Sequence, residues 1–341
     1  MRIRITLWFT LISFMLPAGI LAQDVTKVGT TAGKFLAVPA GARGIGMGGA
    51  YVAVTDDPTA MYWNPAGITR MQSAGVSLDH TTWFEGVQFE YAGGVYPMGR
   101  YGTVGLNVQG FTTGEMEVTT VAEQEGTGEY FSAGSYAFGL TYARQLTENF
   151  AIGFNGKYIR EQIWHSSASA LALDVGVTYE TPFRNIILGF SISNFGQKLQ
   201  MRGEDLLSNV DLAPQIAGNN ENLTAMLETD QFDLPLLMRI GVASNIIDTG
   251  TMRLTLAADA LHPNDNTESL NIGGELALWK ETVLLRGGLR SLAKADRQTE
   301  FALGGGLRYP ILGQMELQLD YVYETHKYLG AIQKYSLGLL L

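Results

Sequence analysis

From Gly75 to the C-terminus the chain alternates apolar and polar residues with a period of two, in segments of about ten residues separated by turn residues. In residues 251–260 one face carries Met252, Leu254, Leu256 and Ala258, and the other Arg253, Thr255, Ala257 and Asp259. In residues 314–324 Met315, Leu317, Leu319, Tyr321 and Tyr323 stand against Glu316, Gln318 and Asp320. The split recurs at 269–278 (Leu270, Ile272, Leu276 and Leu278 against Asn271 and Glu275) and at 282–290 (Val283, Leu285 and Leu289 against Arg286 and Arg290). About fourteen such segments follow one another. Apolar residues on one helix face recur every three or four positions, so this pattern excludes helices and dictates strands with one greasy face.

Alternation also fits a soluble β-sandwich, and the polar face decides between the two. A sandwich turns that face to water and fills it with Lys, Glu and Thr. Here it is largely Gly, Ala, Asn, Ser and Gln, as at Ala137, Gly139 and Thr141 or at Ala172, Asp174 and Gly176. Charged residues make up 16% of the chain, against roughly 25% in soluble domains. Small residues suit a crowded interior, so the apolar face belongs in lipid. The fold expected is all-β: a transmembrane, antiparallel, up-and-down β-barrel of about 14 strands. No stretch approaches the roughly 18 to 20 apolar residues of a membrane-spanning helix.

Short connections (144–149, 181–185, 245–250, 279–281 and 309–313) alternate with longer ones (112–133, 164–168, 196–234, 261–268 and 291–298), as periplasmic turns alternate with outward loops. With an even strand number, both the N- and the C-terminus are expected in the periplasm. Trp83, Tyr96, Tyr101, Trp164, Trp279 and Tyr309 fall near strand ends, where an interfacial girdle would hold them.

Ahead of the strands, Arg2 and Arg4 precede an apolar run at 5–16, and Ala22 precedes polar Gln23, which reads as a signal peptide over residues 1–22. With no cysteine there is neither a disulfide framework nor thiolate chemistry. A formal net charge of −10 argues against nucleic-acid binding, which needs a basic footprint. No Ser/Pro-rich linker divides the remainder, so the expected organisation is an N-terminal segment and plug at 23–70 and one barrel at 71–341.

The plug is expected at residues 36–70. Its glycines, including Gly41, Gly46, Gly48, Gly49 and Gly67, let backbone pack against a surrounding wall. Asp56-Asp57-Pro58 can cap about one helical turn, which Asn64-Pro65 then ends, leaving tight coil before it. Gly44-x-Gly46-x-x-Gly49 formally matches a dinucleotide-binding fingerprint, but no apolar strand leads into it and no acidic partner follows about 20 residues on.

The run GARGIGMGGAYVAVTDDPTAMYWNPAGIT resembles the N-terminal signature of the PorV/PorQ family of outer-membrane proteins, itself similar to FadL-type hydrophobic-compound transporters. In the latter an Asn-Pro-Ala trimer marks the hatch, and here that trimer is Asn64-Pro65-Ala66. The resemblance implies a hatch motif comprising Gly41, Arg43, Gly46, Gly48, Gly49, Asp56, Asp57, Asn64, Pro65, Ala66 and Gly67. It also implies a place in the bacterial outer membrane and one of two uses: a component linked to type IX protein secretion, contacting secretion subunits or secreted cargo, or an uptake channel for hydrophobic small molecules. A third reading is a structural barrel with a sealed lumen.

Nothing in the sequence reads as an enzyme or a cofactor site. His80, His165, His262 and His326 lie in four separate regions without metal-ligand spacing, and no nucleophile elbow or phosphate loop appears in context. The charges placed on the lumen face are Asp79, Glu90, Lys157, Asp174, Arg239, Arg253, Asp259, Glu275, Arg286, Arg290, Arg308, Glu316 and Asp320. Both signs are present, which suits bracing of wall and plug better than ion selectivity. The long connection at 196–235 reads as a lid or docking surface, with a short helix expected at 222–227.

Overall fold

The computed structural model describes residues 27–341 apart from 84–85, 184, 212–214, 216–222, 295–296, 312, 314 and 329. The expected signal peptide lies outside the described residues. Fourteen strands form the wall: β1 (Gly75–Thr82), β2 (Gln88–Pro97), β3 (Thr103–Thr112), β4 (Ala133–Thr147), β5 (Phe150–Ile163), β6 (Ser166–Glu180), β7 (Ile186–Gly196), β8 (Leu237–Asp248), β9 (Met252–Pro263), β10 (Ser269–Leu278), β11 (Val283–Leu292), β12 (Thr299–Pro310), β13 (Glu316–His326) and β14 (Gly330–Leu340). Each pairs antiparallel with the next, and β14 returns to β1 in a register running from Gly75↔Leu340 to Thr82↔Gln333. Closure leaves the wall without an edge, the condition for strands to survive in hydrocarbon. A short piece, Arg202–Gly203, pairs with Ser166–Ser167 at the end of β6 that β7 does not cover.

The alternation read from sequence is the alternation of facing. Leu256, Leu285, Leu319 and Tyr321 are exposed on the outside, while Thr255, Asp259, Glu275, Arg286, Gln318 and Asp320 are buried inside. Glu90 is a correction. In β2 it is Phe89 and Tyr91 that point inward, and Glu90 is turned outward with its side chain 51% exposed. The reason is packing: the Tyr91 hydroxyl donates to Pro58 O at 3.0 Å, so the plug recruits the aromatic phase of this strand.

Connections 98–102, 148–149, 181–185, 249–251, 279–282 and 311–315 lie at one end of the barrel, and 83–87, 113–132, 164–165, 197–236, 264–268, 293–298 and 327–329 at the other. The second end carries the long excursions, although the connection expected at 164–168 is a two-residue turn with Trp164 at φ 50°. No helix forms at 223–226. Leu223–Met226 pairs antiparallel with Leu207–Val210, because so short an isolated helix is unstable in water while a neighbouring strand supplies hydrogen bonds.

The C-terminal Leu341 N donates to Ala74 O at 2.8 Å, at the short-connection end. Residues 31–36 instead meet Leu199, Asp233 and Asp265, at the long-connection end. The described N-terminal segment and the C-terminus therefore lie at opposite ends, not together as expected, because residues 38–71 run the height of the lumen before β1 begins.

Leu256→Lys and Leu319→Lys, near the middle of their strands, should each lower unfolding free energy in lipid vesicles by about 2–4 kcal/mol, and Tyr309→Lys at a strand end by about 1 or less. Urea titration followed by heat-shifted electrophoretic mobility reads the difference.

Candidate functional site

The plug is almost wholly enclosed: Ala42, Met47, Ala50, Tyr51, Ala53, Ala60 and Ala66 are at most 0% exposed. The stretch expected as coil contains a helical turn, α1 (Ala42–Gly46), entered through Gly41 at φ 81°. A second turn, α2 (Ala60–Trp63), has Thr59 rather than the expected aspartate at its N-cap, with no side-chain cap bond; Asp57 Oδ1 instead accepts from Thr59 N at 2.9 Å and Thr59 Oγ1 at 2.5 Å, which fixes the turn just ahead of it. Asn64 ends α2 and caps the 3-10 helix Pro65–Arg70, accepting from Ala66 N at 3.2 Å. Its Nδ2 also ties plug to wall, donating to Val52 O at 2.8 Å and to Val177 O on β6 at 3.0 Å. Turns this short persist only because packing holds them.

Arg43 is the centre of the plug's attachment. Its guanidinium, 2% exposed, meets Glu275 on β10 through Nε–Oε2 at 2.8 Å and Nη2–Oε1 at 3.0 Å, and also bonds Asp56 and Asp57. Glu275 passes the contact along the wall to Arg286 at 2.8 Å, and Arg286 to Asp320 at 2.5 Å. Arg253 joins Glu275 to Glu281, and Glu281 reaches Arg308 at 2.5 Å, with Arg308 3.8 Å from Glu316. Charges this deep are tolerable only when each has a partner. Burial acts to discharge Arg43, but Asp56 and Glu275 beside it raise its pKa; burial acts to raise Asp56, and Arg43 more than offsets it. Burial pushes the Tyr51 phenol up, which keeps it a donor to Asp57 at 2.5 Å.

Of the remaining lumen charges, Asp259 accepts from Tyr51 N at 2.8 Å and Val52 N at 2.9 Å. Arg239 lies 5.4 Å from the ring centroids of both Tyr62 and Trp63. Arg290 pairs with Glu324, apart from the Arg43 network, and Lys157 is 2.8 Å from Asp174. Asp79 is buried beside Ser336 and Tyr91 in register. Sequence reasoning missed Glu281 and Lys334. Glu281 sits in a turn at φ 66° and reads as solvent-facing, whereas Lys334, which bonds Pro39 O, could have been found from its place between Tyr335 and Gln333 in the alternation.

Wall glycines matter as much as plug glycines. A Cβ on Gly273 would fall 1.9 Å from Met47 O, one on Gly288 2.3 Å from Gly48 N, and one on Gly153 2.4 Å from the Pro65 carbonyl carbon. Gly46 lies against Arg286 and Gly304, Gly49 against Asn271, and Gly67 against Thr55. Main chain thus touches main chain across the boundary.

At the long-connection end, Phe35 and Leu36 pack with Leu199, Leu234 and Ile159. Thr31 Oγ1 donates to Asp265 at 2.6 Å, and Lys34 bonds the same carboxylate. Burial acts to raise the Asp265 pKa, but the bonds from Lys34 and Thr31 hold it below the usual range. A depressed folded-state pKa stabilises above the unfolded value, near 4, and that stabilisation is lost as pH falls through it toward the folded value. Hydrogen-exchange protection at residues 32–36 should therefore be full at neutral pH and decline below about pH 4.

This geometry defines a plugged outer-membrane β-barrel. The same fold occurs in a Pseudomonas aeruginosa FadL homologue (13% identity, TM-score 0.53, 87% of this chain and 97% of that one), in the CymD monoaromatic hydrocarbon channel (13%, 0.56, 89% and 97%) and in the Ralstonia pickettii toluene transporter TbuX (12%, 0.54, 88% and 97%). No curated protein matches in sequence. The profile of the family described as Type IX secretion system protein PorV matches residues 21–204, and the chain belongs to that family.

Arg43→Met should leave Asp57 and part of Glu275, both buried, short of their cationic partner and cost about 3–5 kcal/mol. Gly288→Val should loosen the plug through backbone contact instead. Proteolysis within residues 42–70 of the folded protein should rise in both.

Proposed function

We propose that the protein serves type IX secretion as a plugged barrel whose outward end, built from residues 27–37 and from 113–132, 197–211 and 223–236, contacts secreted cargo or subunits of the secretion machinery. The observation that carries this reading is the family match, joined to a lumen occupied by residues 38–71 and braced by the Arg43–Glu275 network. A sealed lumen leaves the rims as the surfaces through which large partners make contact. The hatch motif residues act in this reading as the seal, and the lumen charges as its anchors.

A second reading, uptake of hydrophobic small molecules, draws on the fold shared with a monoaromatic hydrocarbon channel and a toluene transporter. It requires the plug to move. Native purification from the outer membrane separates the two. Co-purifying secretion subunits or secreted proteins support the first; a stoichiometric apolar ligand in the lumen without them supports the second. Deletion of residues 36–70 should leave an inserted barrel, because the wall's ladders are independent of the plug, and should raise ion conductance in planar bilayers while secretion fails.

A further inference from the structure

The short-connection end carries one turn whose backbone is strained over three residues. Trp279, Lys280 and Glu281, between β10 and β11, stand at φ 51°, 58° and 66°. In that region Cβ crowds the following carbonyl, so residues other than glycine visit it singly and seldom in succession. Among the described residues, the other connections at this end meet a positive φ with glycine or asparagine, at Gly99, Gly102, Asn185, Gly250 and Gly313. Here a tryptophan, a lysine and a glutamate hold three such positions in a row. Strain of this kind persists only where the surroundings over-determine it.

What determines it is Glu281. Its Oε1 accepts from Arg253 Nε on β9 at 2.9 Å, and its Oε2 from Arg308 Nη1 on β12 at 2.5 Å. One carboxylate thus clasps the two strands that flank the β10–β11 hairpin. Lesser bonds help: Lys280 N donates to Thr251 O at 3.2 Å, and Thr282 Oγ1 to Trp279 O at 2.8 Å. Trp279, 68% exposed, and Lys280 stand outside. The left-handed run is what lets Glu281 reach both arginines while its two predecessors remain exposed.

The arginine that Glu281 holds is a competitor for the plug's own anchor. Arg253 Nη2 lies 3.3 Å from Glu275 Oε1, and Arg43 Nη2 lies 3.0 Å from the same oxygen. Glu281 is the nearer carboxylate to Arg253 and keeps it from closing on Glu275. Without Glu281, the largely buried Arg253 guanidinium turns to Glu275 for its charge partner. Because the oxygen is shared, what Arg253 gains there Arg43 loses.

We propose that the turn Trp279–Glu281 is a strained latch on the plug. Left-handed, it keeps Glu281 on Arg253 and Arg308 and leaves Glu275 to Arg43. Relaxed out of that region, it withdraws Glu281, Arg253 moves onto Glu275, and the plug gives up part of its hold. The exposed Trp279–Lys280 face is the handle, and a contact made on it reaches the plug through Glu281, Arg253, Glu275 and Arg43. The latch acts on plug anchorage and is independent of which partner or ligand the barrel serves.

The test uses the full chain carrying Ala53→Cys, purified in detergent. Folding is read from heat-shifted mobility, and plug opening from the rate of labelling by a membrane-impermeant maleimide. Lys280→Gly relieves strain and should slow labelling, whereas Lys280→Val, β-branched and disfavoured at positive φ, should speed it, the two differing by about tenfold. Glu281→Ala should speed labelling as well, and in the Glu281→Ala background the two substitutions at Lys280 should give equal rates. The heat shift of the wall should be the same throughout. Equal or reversed rates for Lys280→Gly and Lys280→Val, or the same difference surviving in the Glu281→Ala background, would overturn the proposal. So would loss of the heat shift in Lys280→Val, which would put the strain on the wall instead of the plug.

Discussion

A backbone amide in hydrocarbon has no water to bond, and the rest of this structure depends on meeting that constraint. Fourteen strands meet it by closing β14 on β1. The tyrosines, leucines and valines of one phase then serve as solvent-facing residues toward lipid. Closure at this girth encloses a lumen too wide for wall side chains to fill. The N-terminal segment fills it, and does so with small residues because the wall offers little depth.

Two kinds of complementarity hold plug and wall. One is steric and rests on glycines from both sides, with Gly273 and Gly288 receiving the Met47–Gly48 main chain and Gly153 and Gly176 receiving Pro65 and Asn64. The other is electrostatic and centres on Arg43, whose five donors match the bidentate carboxylate of Glu275 while still reaching Asp56 and Asp57. Neither suffices alone: glycine contacts carry no direction, and a buried ion pair gains little over apolar packing unless geometry fixes it. Together they make one register of plug against wall much better than its neighbours.

Much of this was legible in the sequence, because lipid outside and a crowded interior write opposite residue types onto alternate positions. Leu256 against Thr255 and Leu319 against Gln318 carry the facing of whole strands. The end of the helical turn Ala60–Trp63 at Asn64 follows from cap and proline chemistry. What was hidden depends on contacts distant in sequence. Glu90 turns outward because the plug claims Phe89 and Tyr91. The wall glycines read as mere strand interruptions until Met47 and Pro65 are laid against them. The course of the N-terminal segment to the long-connection end is set by Asp233 and Asp265, some two hundred residues downstream.

The account's central claim is that residues 38–71 lie sealed within the wall while residues 27–34 emerge at the long-connection end. The absence of native cysteine makes single-cysteine accessibility the most direct measurement. Val28→Cys, Ala53→Cys and Ala60→Cys would each be treated with a membrane-impermeant maleimide in the folded protein. Position 28 should react at once, and positions 53 and 60 only after denaturation. Rapid reaction at 53 or 60 in the folded barrel would contradict the claim.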